Sequence, residues 1–312
     1  MTPLPVIAIP IGDAAGIGPE IAVKAAADAR VRARCRPVLV GDAGAIGRAA
    51  ALCGVDPAGL EIVTPADAVL GDIRPGIADG AVGRATLAAA RAAVEMAMAG
   101  EAAAVAAAPH NQTAIRLAGI DDFDGYPGFV ARVTGADPDG VFLMLVDDDR
   151  RIVHATLHTS VRDALAAIDR DRVVRALRAT DGALRRLGID APRIAVSGVN
   201  PHAGEGGLFG REEIDHIAPA IAEAAAQGMD AHGPFGADTM YLDRSFDAYL
   251  VMLHDQGHIP AKLAARNPAA FTIGTPVLFA TVAHGSAYDI AGRGVADAAT
   301  LIATVLRLSS AG

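Results

Sequence analysis

Short apolar runs alternate with helix-period stretches over most of this 312-residue chain, and that alternation is the strongest constraint on its fold. Strands are expected at Val6 to Ile11, Pro37 to Val40, Ala103 to Ala107, Val141 to Val146, Arg151 to Thr156, Ile194 to Ser197, Ala248 to Leu253 and Val277 to Val282. Helices are expected at Val82 to Ala99, Val173 to Leu187, Glu212 to Ala226 and Ala296 to Leu308, with a further helix opened by Pro19 in its first turn. Strand-helix order of this kind builds a sheet with helices packed on it, so the fold class is α/β. From about Gly119 onward paired strands replace the alternation, which points to a discontinuous, two-lobed plan. Between two of the expected strands, Asp147-Asp148-Asp149-Arg150 reads as a solvated hairpin tip.

Composition narrows the function. The hydrophobic fraction of 52 % comes largely from alanine, with 4 % aromatic residues, no tryptophan and no aromatic platform for nucleic-acid bases. A formal charge of -9 without a basic tract argues against nucleic acid or an anionic membrane surface as partner, leaving a small molecule as the expected ligand. The most membrane-like stretch, Ala85 to Ala108, is interrupted by Arg91, Glu95 and Glu101, short of the ~20 apolar residues a span requires. No basic segment precedes the first apolar run, so a cytoplasmic location is expected. Cys35 and Cys53 lack CxxC spacing and read as thiols.

Three polar motifs each follow an expected strand and carry a histidine: Thr156-Leu157-His158-Thr159, Asn200-Pro201-His202-Ala203-Gly204-Glu205-Gly206 and Leu253-His254-Asp255-Gln256-Gly257. Neutral imidazoles at His158, His202 and His254, with one position left open, would let a divalent ion polarise a substrate oxygen. One such histidine alone would be an ordinary structural residue; the recurrence of the context gives the trio its meaning. Two glycine-rich loops join a strand to a helix, at Ile11 to Glu20 and at His284 to Gly294. The first is not GxGxxG, and a tight turn explains it as well as a phosphate would. The second is more polar than a turn needs.

These segments carry a resemblance. His284-Gly285-Ser286-Ala287 followed by Asp289-Ile290-Ala291-Gly292 resembles the adenosine-binding loop of the isocitrate and isopropylmalate dehydrogenase superfamily, and Gly16-Ile17-Gly18-Pro19-Glu20 resembles its N-terminal turn. With the three histidine motifs, the chain is identified as a member of the 4-hydroxythreonine-4-phosphate dehydrogenase family over nearly its whole length. The resemblance implies a two-lobed α/β/α fold with the active site in the cleft between the lobes. Residues 1–120 and 266–312 would form a dinucleotide-binding lobe, and 121–265 a metal-binding and dimerisation lobe. It makes His158, His202 and His254 the ligands of one divalent metal, zinc first, with cobalt, manganese, iron and magnesium as alternatives. It places His284, Gly285, Ser286, Asp289 and Gly292 around NAD, and implies a homodimer whose metal site is completed by a histidine of the second chain. Asp255 would orient an imidazole or move a proton, although a helix cap explains it equally; Asp238, in Gly236-Ala237-Asp238-Thr239, would support the site or cap a helix.

The sequence also departs from the family pattern. Tyr126 and Pro127 stand where members acting on a phosphorylated substrate carry a His-Thr pair, and Ala270 and Phe279 where they carry an asparagine and an arginine. Gln112 replaces the lysine of a Pro-x-x-Lys motif, while Lys262 is retained. Each lost charge-assisted hydrogen bond to a phosphate would be worth about 1.5 to 3 kcal/mol, so the pocket is not built for a phosphate ester. Gly125-Tyr126-Pro127, Phe142-Leu143-Met144-Leu145-Val146 and the segment His254 to Pro260 look most like the branch containing terephthalate dihydrodiol dehydrogenase. That resemblance implies NAD-linked oxidative decarboxylation of a cis-dihydrodiol carboxylate to a catechol. Tyr126 would meet the ring, and Lys262, His110 and His258 or Arg293 would meet carboxylates, with Lys262 also a candidate proton donor. Oxidation of 4-phosphohydroxythreonine or another four-carbon phosphate, phosphate acyl transfer, and non-catalytic small-molecule binding stay open.

Overall fold

The structure is a computed structural model that describes residues 3–147, 150–264 and 268–310. It is a mixed α/β protein whose chain divides into two units, Met1–Gly135 with Pro276–Gly312, and Ala136–Thr275.

The first unit alternates strand and helix in the expected order: β1 (Val6–Pro10), α1 (Gly18–Ala27), α2 (Ala29–Arg32), β2 (Arg36–Val40), α3 (Ala43–Cys53), β3 (Glu61–Val63), α4 (Gly80–Met98), β4 (Ala104–Ala107), α5 (Gln112–Leu117) and α6 (Tyr126–Thr134). Its strands run parallel in the order β3-β2-β1-β4-β11. Helices cover both faces of such a sheet, which explains why Ile7, Ala8 and Ile9 form an unbroken buried run instead of alternating. Carboxylates start some of these helices: Asp42 accepts from Ala45 N at 2.6 Å to open α3, and Asp79 accepts from Ala81 N at 2.7 Å to open α4.

The second unit holds β5 (Phe142–Asp147), β6 (Arg150–His154), α7 (Val161–Ala167), α8 (Arg170–Arg186), β7 (Arg193–Ser197), α9 (Ala218–Ala226), β8 (Asp230–Phe235), β9 (Ala248–Val251), α10 (His254–Ala264) and β10 (Ala269–Ile273). The chain then returns to the first unit with β11 (Phe279–Val282) and α11 (Ala299–Leu308). In the second unit β10, β5 and β6 are antiparallel neighbours, and β6, β9, β7 and β8 follow in parallel. Asp147 and Arg150 pair across the β5-β6 hairpin, as a tip there requires; Asp148 and Asp149, within that expected tip, lie outside the described residues.

Three expectations change. The first unit extends to Gly135 rather than residue 120, because Tyr126, Phe129 and Val130 of α6 enter the apolar cluster built on α4. The second boundary falls at Thr275, because β10 pairs in full register with β5; residues 265–267, at the expected boundary, lie outside the described residues. The single helix expected over Glu212 to Ala226 is a π-helical turn, Glu213–Ile217, followed by α9. Pro219 lies in the first turn of α9 and has no N–H to continue a regular ladder. Among the described residues no helix is long and apolar enough to cross a membrane.

Candidate active site

In the first unit the two glycine-rich loops are fastened to each other. Ile17 N donates to Ser286 O at 2.9 Å, and the Tyr288 hydroxyl donates to Asp13 Oδ2 at 2.6 Å. Gly16 permits this closeness, since a Cβ there would lie 2.6 Å from Ser286 Cβ. Asp13 is fully buried, and its pKa is raised by burial against the lowering effects of Tyr288 and of the Ala15 and Gly16 amides. Further on, Gly292 N donates to Glu20 Oε1 at 2.7 Å, and Lys24 Nζ donates to the carbonyls of Gly294 and Ala296 at 2.8 and 2.7 Å.

This fastening sorts the residues expected around a dinucleotide. Ser286 is buried and its hydroxyl donates to His110 O at 3.0 Å, so both Ser286 and the Gly292 amide hold the loop. Gly285 and Asp289 are exposed, and half-buried His284 turns Nδ1 to Gly285 O at 3.0 Å, leaving Nε2 outside that contact. Arg293 is exposed. Neither Asp13 nor Tyr288 was singled out in the sequence, although a lone carboxylate inside a glycine-alanine loop is a visible signal.

His110 and Tyr126 take places other than those expected. Tyr126 is only 2 % exposed; its ring packs 4.9 Å from Phe279 and 4.8 Å from His110, with Phe123 and Phe129 alongside. It fills the core of the unit, and its hydroxyl reaches Ala108 O at 3.4 Å. His110 is pushed down to about 4 by burial between aromatic edges, so near neutral pH it is an uncharged ring and a poor counter-charge for a carboxylate.

The second unit gathers histidines. His158 follows β6 and His254 opens α10, with their ring centres 5.8 Å apart, and a cavity of about 750 Å³ is lined by Thr156, His158, Ser160, Leu253, His254 and Asp255. Asp255 Oδ1 lies 2.6 Å from His254 Nδ1, which leaves Nε2 of His254 for a ligand. Asp255 therefore stands as the carboxylate partner of the histidine beside it.

His202 is carried by an unusual backbone. From His202 to Gly207 every residue has positive φ, including His202 (53°), Ala203 (54°) and Glu205 (46°). Non-glycine residues in that region cost roughly 1–2 kcal/mol each, so the segment needs outside support. Glu213 supplies it, accepting from Val199 N, Asn200 N and Asn200 Nδ2 at 2.7 to 2.9 Å. His202 Nδ1 is 3.1 Å from Glu205 Oε1.

Among the described residues, no group of three or more His, Cys, Asp or Glu side chains is placed to hold a metal within one chain. The donor chemistry nevertheless suits one. His202 and His254 each have Nδ1 on a carboxylate, the arrangement that orients metal-binding imidazoles and leaves Nε2 free. The pKa of His158 is lowered by burial and by His254, which favours the neutral form a ligand needs.

Two more histidines sit behind this pair. His154, at the end of β6, is 1 % exposed and its Nε2 lies 3.0 Å from His258 Nδ1; the His258 ring stacks on His254 at 3.8 Å and 9°. Burial pushes His154 down to about 3, and burial with the nearby His254 pushes His258 down to about 4. His258 is thus also a neutral ring, already engaged through Nδ1, rather than a cationic partner for a carboxylate. Lys262, one turn further along α10, is exposed. Asp238 is exposed too, its carboxylate folded over Gly236; Thr239, not Asp238, is the cap position of the short turn that follows.

Comparison with known proteins gives a consistent set. The family model described as pyridoxal phosphate biosynthetic protein PdxA matches residues 33–307. The chain is 43 % identical over 311 residues to 1,2-dihydroxy-3,5-cyclohexadiene-1,4-dicarboxylate dehydrogenase of a Comamonas species, covering 97 % of each chain. Among solved structures it is similar to a terephthalate 1,2-cis-dihydrodiol dehydrogenase from Burkholderia xenovorans, with 44 % identity, a TM-score of 0.75 and 98 % of each chain covered. It is also similar to a 4-hydroxythreonine-4-phosphate dehydrogenase from Burkholderia phymatum, with 35 % identity, a TM-score of 0.87 and 98 % of each chain covered. Identity and backbone superposition rank these two structures in opposite order. For substrate choice the side chains weigh more, because one backbone can host several sites.

Proposed function

The chain belongs to the PdxA family, and from that premise we propose that it is a metal-dependent, NAD-linked dehydrogenase that oxidatively decarboxylates a cis-dihydrodiol carboxylate to a catechol. A terephthalate dihydrodiol would give protocatechuate and carbon dioxide. One observation carries the substrate choice: Tyr126 and Phe279, at positions where phosphate-binding relatives place polar donors, are buried against each other at 4.9 Å. Neither can offer a phosphate a donor without leaving the core.

His158, His202 and His254 would hold the ion, zinc first, in a homodimer whose second copy completes the ligand set; this reading meets the absence of a complete cluster among the described residues of one chain. When bound, a divalent ion supplies Lewis-acid polarisation of the hydroxyl and NAD supplies the hydride acceptor. Asp255 holds His254 by its Nδ1, so that Nε2 is the nitrogen presented. Half-buried His284, with exposed Gly285 and Asp289 of the second glycine-rich loop, would contact the dinucleotide, while Asp13, Tyr288 and Glu20 keep that loop in place. Oxidation beside a carboxylate gives a β-keto acid; loss of carbon dioxide and enolisation then restore an aromatic ring. Lys262 Nζ, exposed on α10, would pair with a ring carboxylate or return a proton to carbon.

A second reading, oxidation of a four-carbon phosphate, is favoured by the TM-score of 0.87 to the B. phymatum enzyme and by the retained Lys262. NADH formation with each substrate at equal concentration separates the two. Turnover of the dihydrodiol dicarboxylate well above that of 4-phosphohydroxythreonine is expected; the reverse order would reject the proposal.

A further inference from the structure

Behind His254 lies a chain of two imidazoles that the metal reading does not use. His154 Nδ1 faces Leu143 O at 3.5 Å, and a carbonyl only accepts, so Nδ1 carries the proton of this buried neutral ring. Nε2 of His154 is then an acceptor. His258 Nδ1, 3.0 Å away, must donate to it, which leaves the Nε2 lone pair of His258 without a proton. The His258 ring, fixed at one edge by this bond, lies flat on His254 at 3.8 Å and 9°.

Local sequence makes the contact possible. His254 and His258 are one helical turn apart on α10, so their rings share a face of the helix. Gly257 lies against His154: a Cβ there would collide with His154 Nε2 and Cδ2, and only glycine lets α10 come close enough for the bond. His154 itself is set in β6, paired with Leu143 of β5.

We propose that His154 and His258 are positioning residues, an imidazole brace rooted in buried His154 that fixes the ring plane of His254 and so its approach to a divalent ion. His254 is held at two places: Asp255 at its Nδ1 edge and His258 across its face. Asp255 is largely exposed, with 79 % of its side chain open to solvent, so the brace is the rigid member of the two. The proposal rests on His254 being a metal ligand.

The test uses the full-length protein, stripped of metal and titrated with Co²⁺, with thermal unfolding as a check on folding. His258→Phe keeps the ring face but loses the bond to His154, and should weaken Co²⁺ binding about 10- to 100-fold, the usual cost of losing a group that supports a ligand. His154→Gln, which can still accept from His258 Nδ1, should retain most of the affinity, whereas His154→Leu should lose as much as His258→Phe. Nitrogen NMR of the metal-free protein should show both His154 and His258 protonated on Nδ1. Wild-type Co²⁺ affinity in folded His258→Phe, or a His258 protonated on Nε2, would overturn the brace. If His254→Ala leaves Co²⁺ affinity unchanged, the metal reading fails and the brace with it; if His254→Ala abolishes binding while His258→Phe does not, the brace alone fails.

Discussion

The two glycine-rich loops of the first unit spend their polar groups on the protein, with Tyr288 on Asp13, Gly292 on Glu20, Ser286 on His110 and the Gly294 carbonyl on Lys24 of α1. In the second unit His202 and His254 are each held by one nitrogen and keep the other free. A loop tied at so many points offers a ligand a fixed shape and a few outward groups, which suits a cofactor that only has to be placed. Imidazoles with oriented free lone pairs offer chemistry, at the cost of a cluster left incomplete among the described residues of one chain. In the proposed function the units would divide the labour of recognition and reaction, and substitutions should separate the two.

The largest effect is expected at the histidines. His158→Ala or His254→Ala should lower kcat/KM by more than about 100-fold, beyond what removal of a merely supporting group costs, with NAD affinity unchanged. Steady-state kinetics with a direct dinucleotide-binding measurement checks this; a change in NAD affinity alone would break the division. Gly16→Ala should do the opposite. Its new methyl group meets Ser286 at 2.6 Å and should destabilise the unit by about 1–3 kcal/mol and weaken NAD binding, leaving metal affinity as it was.

The last effect is one of acidity, seen only below pH 6.5, and belongs to the first unit alone. His110 has a folded pKa lowered to about 4 from 6.5, so the native state binds fewer protons than the unfolded chain between those values. Its contribution is fully present above pH 6.5 and lost as pH falls through about 4, amounting to at most ~3 kcal/mol. Denaturant unfolding across that range should show the fall, and His110→Phe should flatten it.

Much of this organisation is readable from sequence, for local reasons. Strands such as β1 and β9 are continuous apolar runs, and the histidine motifs are short and contiguous. Three of the described strands go unread: β3 is a three-residue edge strand, β8 contains Gly233 and Pro234, and β10 is a short apolar run whose place only its pairing with β5 reveals. The core role of Tyr126 was hidden because its neighbours come from His110, Phe123, Phe129 and Phe279, which only folding assembles. His154 was hidden for the same reason. It ends an ordinary buried strand, and the two residues that give it meaning, Gly257 and His258, lie more than one hundred positions away.

The central claim, that a histidine-held ion acts on a dihydrodiol rather than on a phosphate, is tested most directly by following NADH formation from the dihydrodiol dicarboxylate in chelator-treated, dialysed protein before and after Zn²⁺ or Co²⁺ is restored. The account predicts that turnover disappears with the metal and returns when it is added back. Full turnover in the metal-free protein would contradict it.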